Sequence, residues 1–200
     1  SCDAMNILSQ DMKTFTKGEC KFGYRESIFK QEVKNQYIIT SVVFKLKKHS
    51  HNINIGYGDI QSELAKNEIT NPTIKDVSNA VIAIRNTKLP NPKELGNSGS
   101  FFKNPVISRE LFEKVQAKFP EVKHFEVSPT EVKVPAGWLI ENAGLKGYRK
   151  DDAGVHKNQA LVLVNYGNAT GQEILEVART IQVSIFETFG IQIEAEVNVI

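Results

Sequence analysis

Cysteine is nearly absent: Cys2 and Cys20 are the two in 200 residues, both in the first tenth of the chain. They form no C-x-x-C pair, which argues against a disulfide framework and a thiolate metal site, so a reducing, cytoplasmic location is the expectation. Long apolar runs are missing as well. Stretches such as Ala160 to Val164 fall far short of the roughly 18 to 20 residues that span a bilayer, and Ser1 to Asp11 does not read as a signal peptide. Charge of one sign is not in excess either. Lys and Arg number 25 against 23 Asp and Glu, a net +2, too balanced for the basic footprint of a nucleic-acid or membrane-surface binder. Any anionic partner must then be met by a few placed cations. His49, His51, His124 and His156 stand outside any H-E-x-x-H spacing, and no metal is expected. The G-x-S-x-G elbow of a nucleophilic serine is absent too.

What remains is the composition of one ordinary domain or two small ones, 40% hydrophobic and 24% charged. Residues 1 to 47 read as strands and turns. From Gln36 to Lys47 the β-branched content is high and both faces are mostly apolar, which predicts a strand covered on both sides. A helix is expected from Thr73, its N-cap with Asp76 three residues on, through the stripe Ile74, Val77, Val81 and Ile84 to about Asn86, before Pro90 and Pro92. Lys88 to Glu94 reads as a linker and Gly96 to Gly99 as a tight loop. Ser108 opens a second helix with Leu111, Phe112, Val115 and Phe119 buried, closed by Pro120. A short helix around Trp138 to Ile140 runs between Pro135 and Gly144, and Ala160 to Asn165 is a buried strand. Thr170 and Glu173 form a capping box for a long helix that stops at Gly190. Ile191 to Ile200 alternates and predicts a last strand with Ile191, Ile193, Ala195, Val197 and Val199 inward. Strands and helices follow no even βαβ rhythm, so the class is α+β.

Several segments could carry chemistry. Gly96 to Pro105 places Ser100, Lys103 and Asn104 beside Phe101 and Phe102; it fits a substrate loop, and equally a hairpin whose Ser and Asn satisfy their own backbone. Arg25 could fork a carboxylate or pair with Glu26 on a solvated turn. Tyr57 sits in the glycine-flanked Asn54 to Asp59 stretch as a lid residue or a turn aromatic. Glu196, on the polar face of the last predicted strand, is by default a solvated carboxylate.

The order of the segments is more informative than any one of them. Tyr24-Arg25-x-Ser27-x-Phe29-Lys30, Tyr57-Gly58-Asp59, Arg85-x-Thr87-Lys88-Leu89-Pro90-x-Pro92-Lys93, Gly96-Asn97-x-Gly99-Ser100-Phe101-Phe102-Lys103-Asn104-Pro105, Ala136-Gly137-Trp138-Leu139-Ile140 and His156-x-x-Gln159-Ala160-Leu161-Val162-Leu163 succeed one another. Together they resemble the UDP-N-acetylenolpyruvoylglucosamine reductases, the MurB flavoenzymes of peptidoglycan precursor synthesis, in the type I form. The resemblance implies an oxidoreductase in which NADPH reduces bound FAD, the flavin passes hydride to C3 of the enolpyruvyl ether, and a protein acid protonates C2. It makes Ser100 that acid and sets Arg25 and Glu196 about the enolpyruvyl carboxylate. Tyr57, Lys88 and Asn104 match contacts to the nucleotide diphosphate, Gln159 a polar substrate contact and Arg85 a residue on the flavin side, with Lys146 a further candidate.

The family's flavin-binding module with its glycine-containing pyrophosphate loop should precede the Tyr-Arg motif, and the sequence carries none there. The expectation is a C-terminal portion of the FAD-binding domain at residues 1–75, a connecting helix and linker at 76–89, an α+β substrate-binding domain at 90–190 and a strand at 191–200 returning toward the flavin side. A fragment of that kind should be colourless, inactive with NADPH alone, and prone to self-association through open edges. The competing expectation from another class is a non-catalytic UDP-sugar binding module.

Overall fold

The computed structural model describes residues 1–199, divided into two compact units, Ser1–Asn52 and Ile53–Ile200. Its mixture of antiparallel sheets and helices is α+β, as the irregular alternation predicts.

In the first unit β1 (Cys2–Asn6) lies between β2 (Met12–Phe15) and β3 (Tyr37–Val42), antiparallel to both. Asp3 ties the three strands together. Its carboxylate accepts from the Thr14 hydroxyl on β2 and the Ser41 hydroxyl on β3, each at 2.6 Å. The core beneath is small: Cys2, Ala4, Phe15 and Cys20, with Phe29 and Tyr37 set edge-on to Phe15 at 5.0 and 5.2 Å. Both cysteines are buried and free. The strand predicted from Gln36 to Lys47 is shorter, and it is not covered on both sides. Ile38, Ile39 and Val42 are about half exposed, and Val43, Phe44 and Leu46 beyond them more so. The pattern reported apolar content correctly, but among the described residues β3 is an edge strand that pairs with β1.

The second unit starts with a helical pair. α1 (Ile60–Lys66) and α2 (Ile74–Lys88) enclose Ile60, Leu64 and Ala80 with Val77, Val81 and Ile84 beside them. α2 opens on the expected capping box, the Asp76 amide donating to the Thr73 hydroxyl and the Thr73 amide to the Asp76 carboxylate. It runs two residues beyond Asn86, and Ile74 on its predicted inner stripe is half exposed.

Two further sheets carry the main core: β4 (Gly96–Ser100), β10 (Val162–Asn165), β9 (Ala153–Val155) and β8 (Arg149–Lys150) in that spatial order, and β5 (Val106–Ser108), β7 (Glu131–Lys133) and β6 (Phe125–Ser128) in the other. α3 (Arg109–Lys118), α4 (Ala136–Asn142) and α5 (Gly171–Phe189) contribute Phe112, Val115, Leu139, Ile140, Ile181 and Ile185 to one continuous cluster. Each such side chain, fully removed from water, stabilises the fold by about 1.5–3 kcal/mol before entropy is counted. α5 carries the predicted capping box at Thr170 and Glu173, and Gly190 closes it at φ 69°, a left-handed conformation that glycine adopts without steric cost.

Two expectations are corrected. Gly96 to Gly99 is not a loop but strand β4, laddered to β10. Ile191 to Val199 is not a regular strand. Ile191 and Ile193 are buried as the alternation required and Ala195 and Val197 pack on the core, but Val199 is exposed and a single bridge, Ala195 to Phe102, replaces a ladder. Residue Ile200 lies outside the described residues.

Candidate functional site

Ser100 owes its position to an irregularity in β4. Val162 stands opposite Ser100 and Val164 opposite Asn97, so two residues of β4, Ser98 and Gly99, face one of β10. Such a bulge bends the strand and re-aims the side chain beyond it. Gly99 takes φ 76° there, and its amide donates to the Asn97 side-chain oxygen at 3.0 Å. The Asn thus satisfies local backbone, and the serine beyond it is exposed at the rim of a cavity.

That cavity has a volume of about 760 Å³. Ser100 lines it together with Tyr57, Arg85, Lys88 and Gln159, which are widely separated in the sequence. Arg85 and Lys88 are one turn apart at the end of α2, and Tyr57 lies just before α1, 81% exposed. Val81, Ile84, Leu89 and Phe125 add an apolar wall. Phe125 and Asp59 were not among the candidates. The ring of Phe125 has the Lys133 ammonium 5.5 Å from its centroid. The alternation of Phe125 to Val134 about a Ser-Pro-Thr turn would have revealed the strand that presents it.

Lys88 forms an ion pair with Asp59, and that ammonium holds the Asp59 carboxyl below the ordinary aspartate range. A second, more polar cavity of about 830 Å³ shares Arg85 and Leu89 with the first and adds Asn97, Gly99, His156 and Asn158. His156 Nδ1 is buried without a hydrogen-bond partner among the described residues, and burial pushes the imidazole below its ordinary range.

The other candidates have different surroundings. The Asn104 side-chain oxygen accepts from the Ala136 amide at 2.9 Å, capping α4 where its N-cap Pro135 offers no side-chain acceptor, and Asn104 does not line the cavity. Lys146 pairs with Glu141 at 2.6 Å, also away from it. Glu196 is tied by its backbone to the residue after Ser100, since its amide donates to the Phe101 carbonyl at 2.8 Å, while Lys103 pairs with Glu194 at 3.2 Å alongside. Arg25 belongs to the first unit, in a left-handed turn at φ 58° that Lys30 steadies by donating to the Arg25 carbonyl at 3.0 Å. No cluster of three or more potential metal ligands occurs among the described residues.

Chemically, the cavity combines two cations, one of them paired with the Asp59 carboxylate, with one hydroxyl, one amide and one phenol over an apolar wall. It suits an anionic ligand with an aromatic or sugar portion better than a neutral one.

Comparison with known proteins bears on this geometry. A family model described as UDP-N-acetylenolpyruvoylglucosamine reductase, C-terminal domain, matches residues 91–200. The UDP-N-acetylenolpyruvoylglucosamine reductase of Flavobacterium johnsoniae is 72% identical over 200 residues, which is 100% of this chain and 59% of that protein. The protein of the same name from Chromobacterium violaceum is 47% identical over 183 residues, 92% of this chain and 53% of the other. The chain thus spans little more than half the length of these relatives. Among solved structures, the UDP-N-acetylenolpyruvylglucosamine reductase of Thermus caldophilus superimposes with a TM-score of 0.57 at 24% identity, over 98% of this chain and 51% of that one, a likeness of fold.

Proposed function

We propose, since this chain belongs to the UDP-N-acetylenolpyruvoylglucosamine reductase family, that it supplies the substrate side of a reductase converting UDP-N-acetylglucosamine enolpyruvate to UDP-N-acetylmuramate. The observation that carries this is the single cavity lined by Ser100, Tyr57, Arg85, Lys88 and Gln159. Lys88 offsets the charge of the nucleotide diphosphate, Tyr57 covers it from the loop before α1, and Gln159 makes a polar contact to the substrate. Asn104 would reach the ligand only with the atoms its capping bond leaves over.

Ser100 delivers the proton to C2 of the substrate. A serine is a weak acid in water, yet a carbanion equivalent beside a carboxylate is basic enough to take its proton, so the demand falls on position more than on acidity. The bulge at Gly99, which re-aims the side chain after it, supports this reading. The family resemblance gives Glu196, tied by its backbone next to Ser100, and Arg25 roles toward the enolpyruvyl carboxylate. A guanidinium would offset the charge that develops on it, whereas the glutamate would have to share a proton with that carboxylate or pair with a cation to avoid like-charge repulsion.

FAD, reduced by NADPH, supplies the hydride when bound. The residues fit such a group: Arg85 is common to both cavities, and the orphaned Nδ1 of His156 in the more polar one matches a ligand that brings its own hydrogen-bonding edge. We assign the remainder of the flavin site to the part of the relatives that this chain does not span, with residues 1–75 completing the flavin domain and 90–190 forming the substrate domain.

The test is Ser100→Ala in a protein that joins this chain to a flavin-binding segment. Reduction of the flavin by NADPH should persist while substrate turnover falls by about 10²–10⁴. Undiminished turnover would remove Ser100 from the mechanism.

A further inference from the structure

Asp59 is the sole acid among the residues that line the candidate site, against two cations, Arg85 and Lys88. It stands at the N-cap of α1, a position where an aspartate ordinarily accepts from the helix's first amides. Here it makes no such bond. Its carboxylate is turned instead to the ammonium of Lys88, the last residue of α2, so that the pair bridges the two helices at the cavity wall. Both partners are more than half exposed, at 53% for Lys88 and 59% for Asp59. The bond is thus open to water and to any incoming anion, and a pair of this exposure contributes little to folding. α1 and α2 are held together independently by Ile60, Leu64 and Ala80.

We propose that Asp59 is a resident counter-ion that an anionic ligand must displace from Lys88, so that nucleotide binding is an exchange of one anion for another. The inference rests on the nucleotide reading of the cavity given above. Before binding, Asp59 neutralises Lys88 and keeps the ammonium directed across the wall. On binding, the diphosphate takes over the ammonium, and the displaced carboxylate remains nearby as a like charge. Asp59 therefore lowers affinity for the diphosphate while holding Lys88 in place, and it acts through Lys88 as a positioning residue.

Titration of the full chain with uridine diphosphate by calorimetry tests this. Asp59→Asn and Asp59→Ser both retain a good N-cap residue while removing the charge. Each should bind about three- to tenfold more tightly than the wild type, with the gain shrinking as salt rises. In the Lys88→Met background the same substitutions should give no gain. Unchanged or weaker binding in both Asp59 variants, with native circular dichroism, would overturn the counter-ion role and leave the nucleotide reading intact. Failure of the wild-type chain to bind uridine diphosphate at all would overturn that reading and this inference with it. A purely structural role for Asp59 cannot produce tighter binding that depends on Lys88.

Discussion

His156 is the residue whose surroundings most clearly oppose its charge. Its Nδ1 is enclosed without a partner among the described residues, and desolvation followed by the nearby Lys157 pushes its pKa down. A group whose folded pKa is depressed is more readily protonated in the unfolded chain. The stability it confers is therefore complete above the unfolded imidazole value and is lost as pH falls through the folded one. Denaturant midpoints of the chain should accordingly decline as pH falls through the ordinary imidazole range, and His156→Gln should flatten that slope; an unaltered slope would place the titration elsewhere. At this scale the sequence was informative where a side chain had one task. Ser108 caps α3 by accepting from the Leu111 amide at 3.2 Å, as its position implied. Asn104 was less legible, because an amide beside a glycine-framed serine carries no mark that distinguishes a ligand contact from a cap on a helix 32 positions away.

Helices declared themselves at their ends. The Thr170 and Glu173 box is reciprocal: the Thr170 amide donates to the Glu173 carboxylate at 2.7 Å and the Glu173 amide to the Thr170 hydroxyl at 3.3 Å. These bonds hold the Glu173 carboxyl below its ordinary range, so the box is intact at neutral pH and fails as pH falls through the carboxylate range. Thr170→Ala should cost about 1 kcal/mol, a fall of roughly 2–4 °C in Tm by calorimetry. α1 escaped notice because seven residues carry little periodicity, although Asp59 followed by Ile60 and Leu64 on one face was a usable signal. The short strands β5, β8 and β9 have two or three residues each, too few for alternation to register. The terminal segment shows the converse limit. Its alternation located the buried side chains at Ile191 and Ile193, but alternation reports which side faces the core, and a ladder also requires a neighbouring strand along its length.

Across the whole molecule, the two units differ in how much of their apolar surface they enclose. The first buries four core residues and leaves Phe44 and Leu46 largely in water, whereas the second gathers Phe112, Leu139, Ile181 and their neighbours into a continuous interior. The α+β class followed from the order of elements, and five of the eight site residues, each named from a short motif, line one cavity. Their convergence was not deducible from spacing, since it depends on how α1, α2, β4 and the turn before β10 pack. That same dispersal couples occupancy to cohesion. A pocket assembled from Tyr57 to Gln159 exists only while the second unit is intact, so its ligand has no comparable foothold on the denatured chain. By mass action, uridine diphosphate at about a hundred times its Kd should raise unfolding free energy by about 2.7 kcal/mol. Thermal melts run with increasing nucleotide should rise logarithmically, and a melting point indifferent to saturating nucleotide would mean that the folded chain does not bind it in preference to the unfolded one.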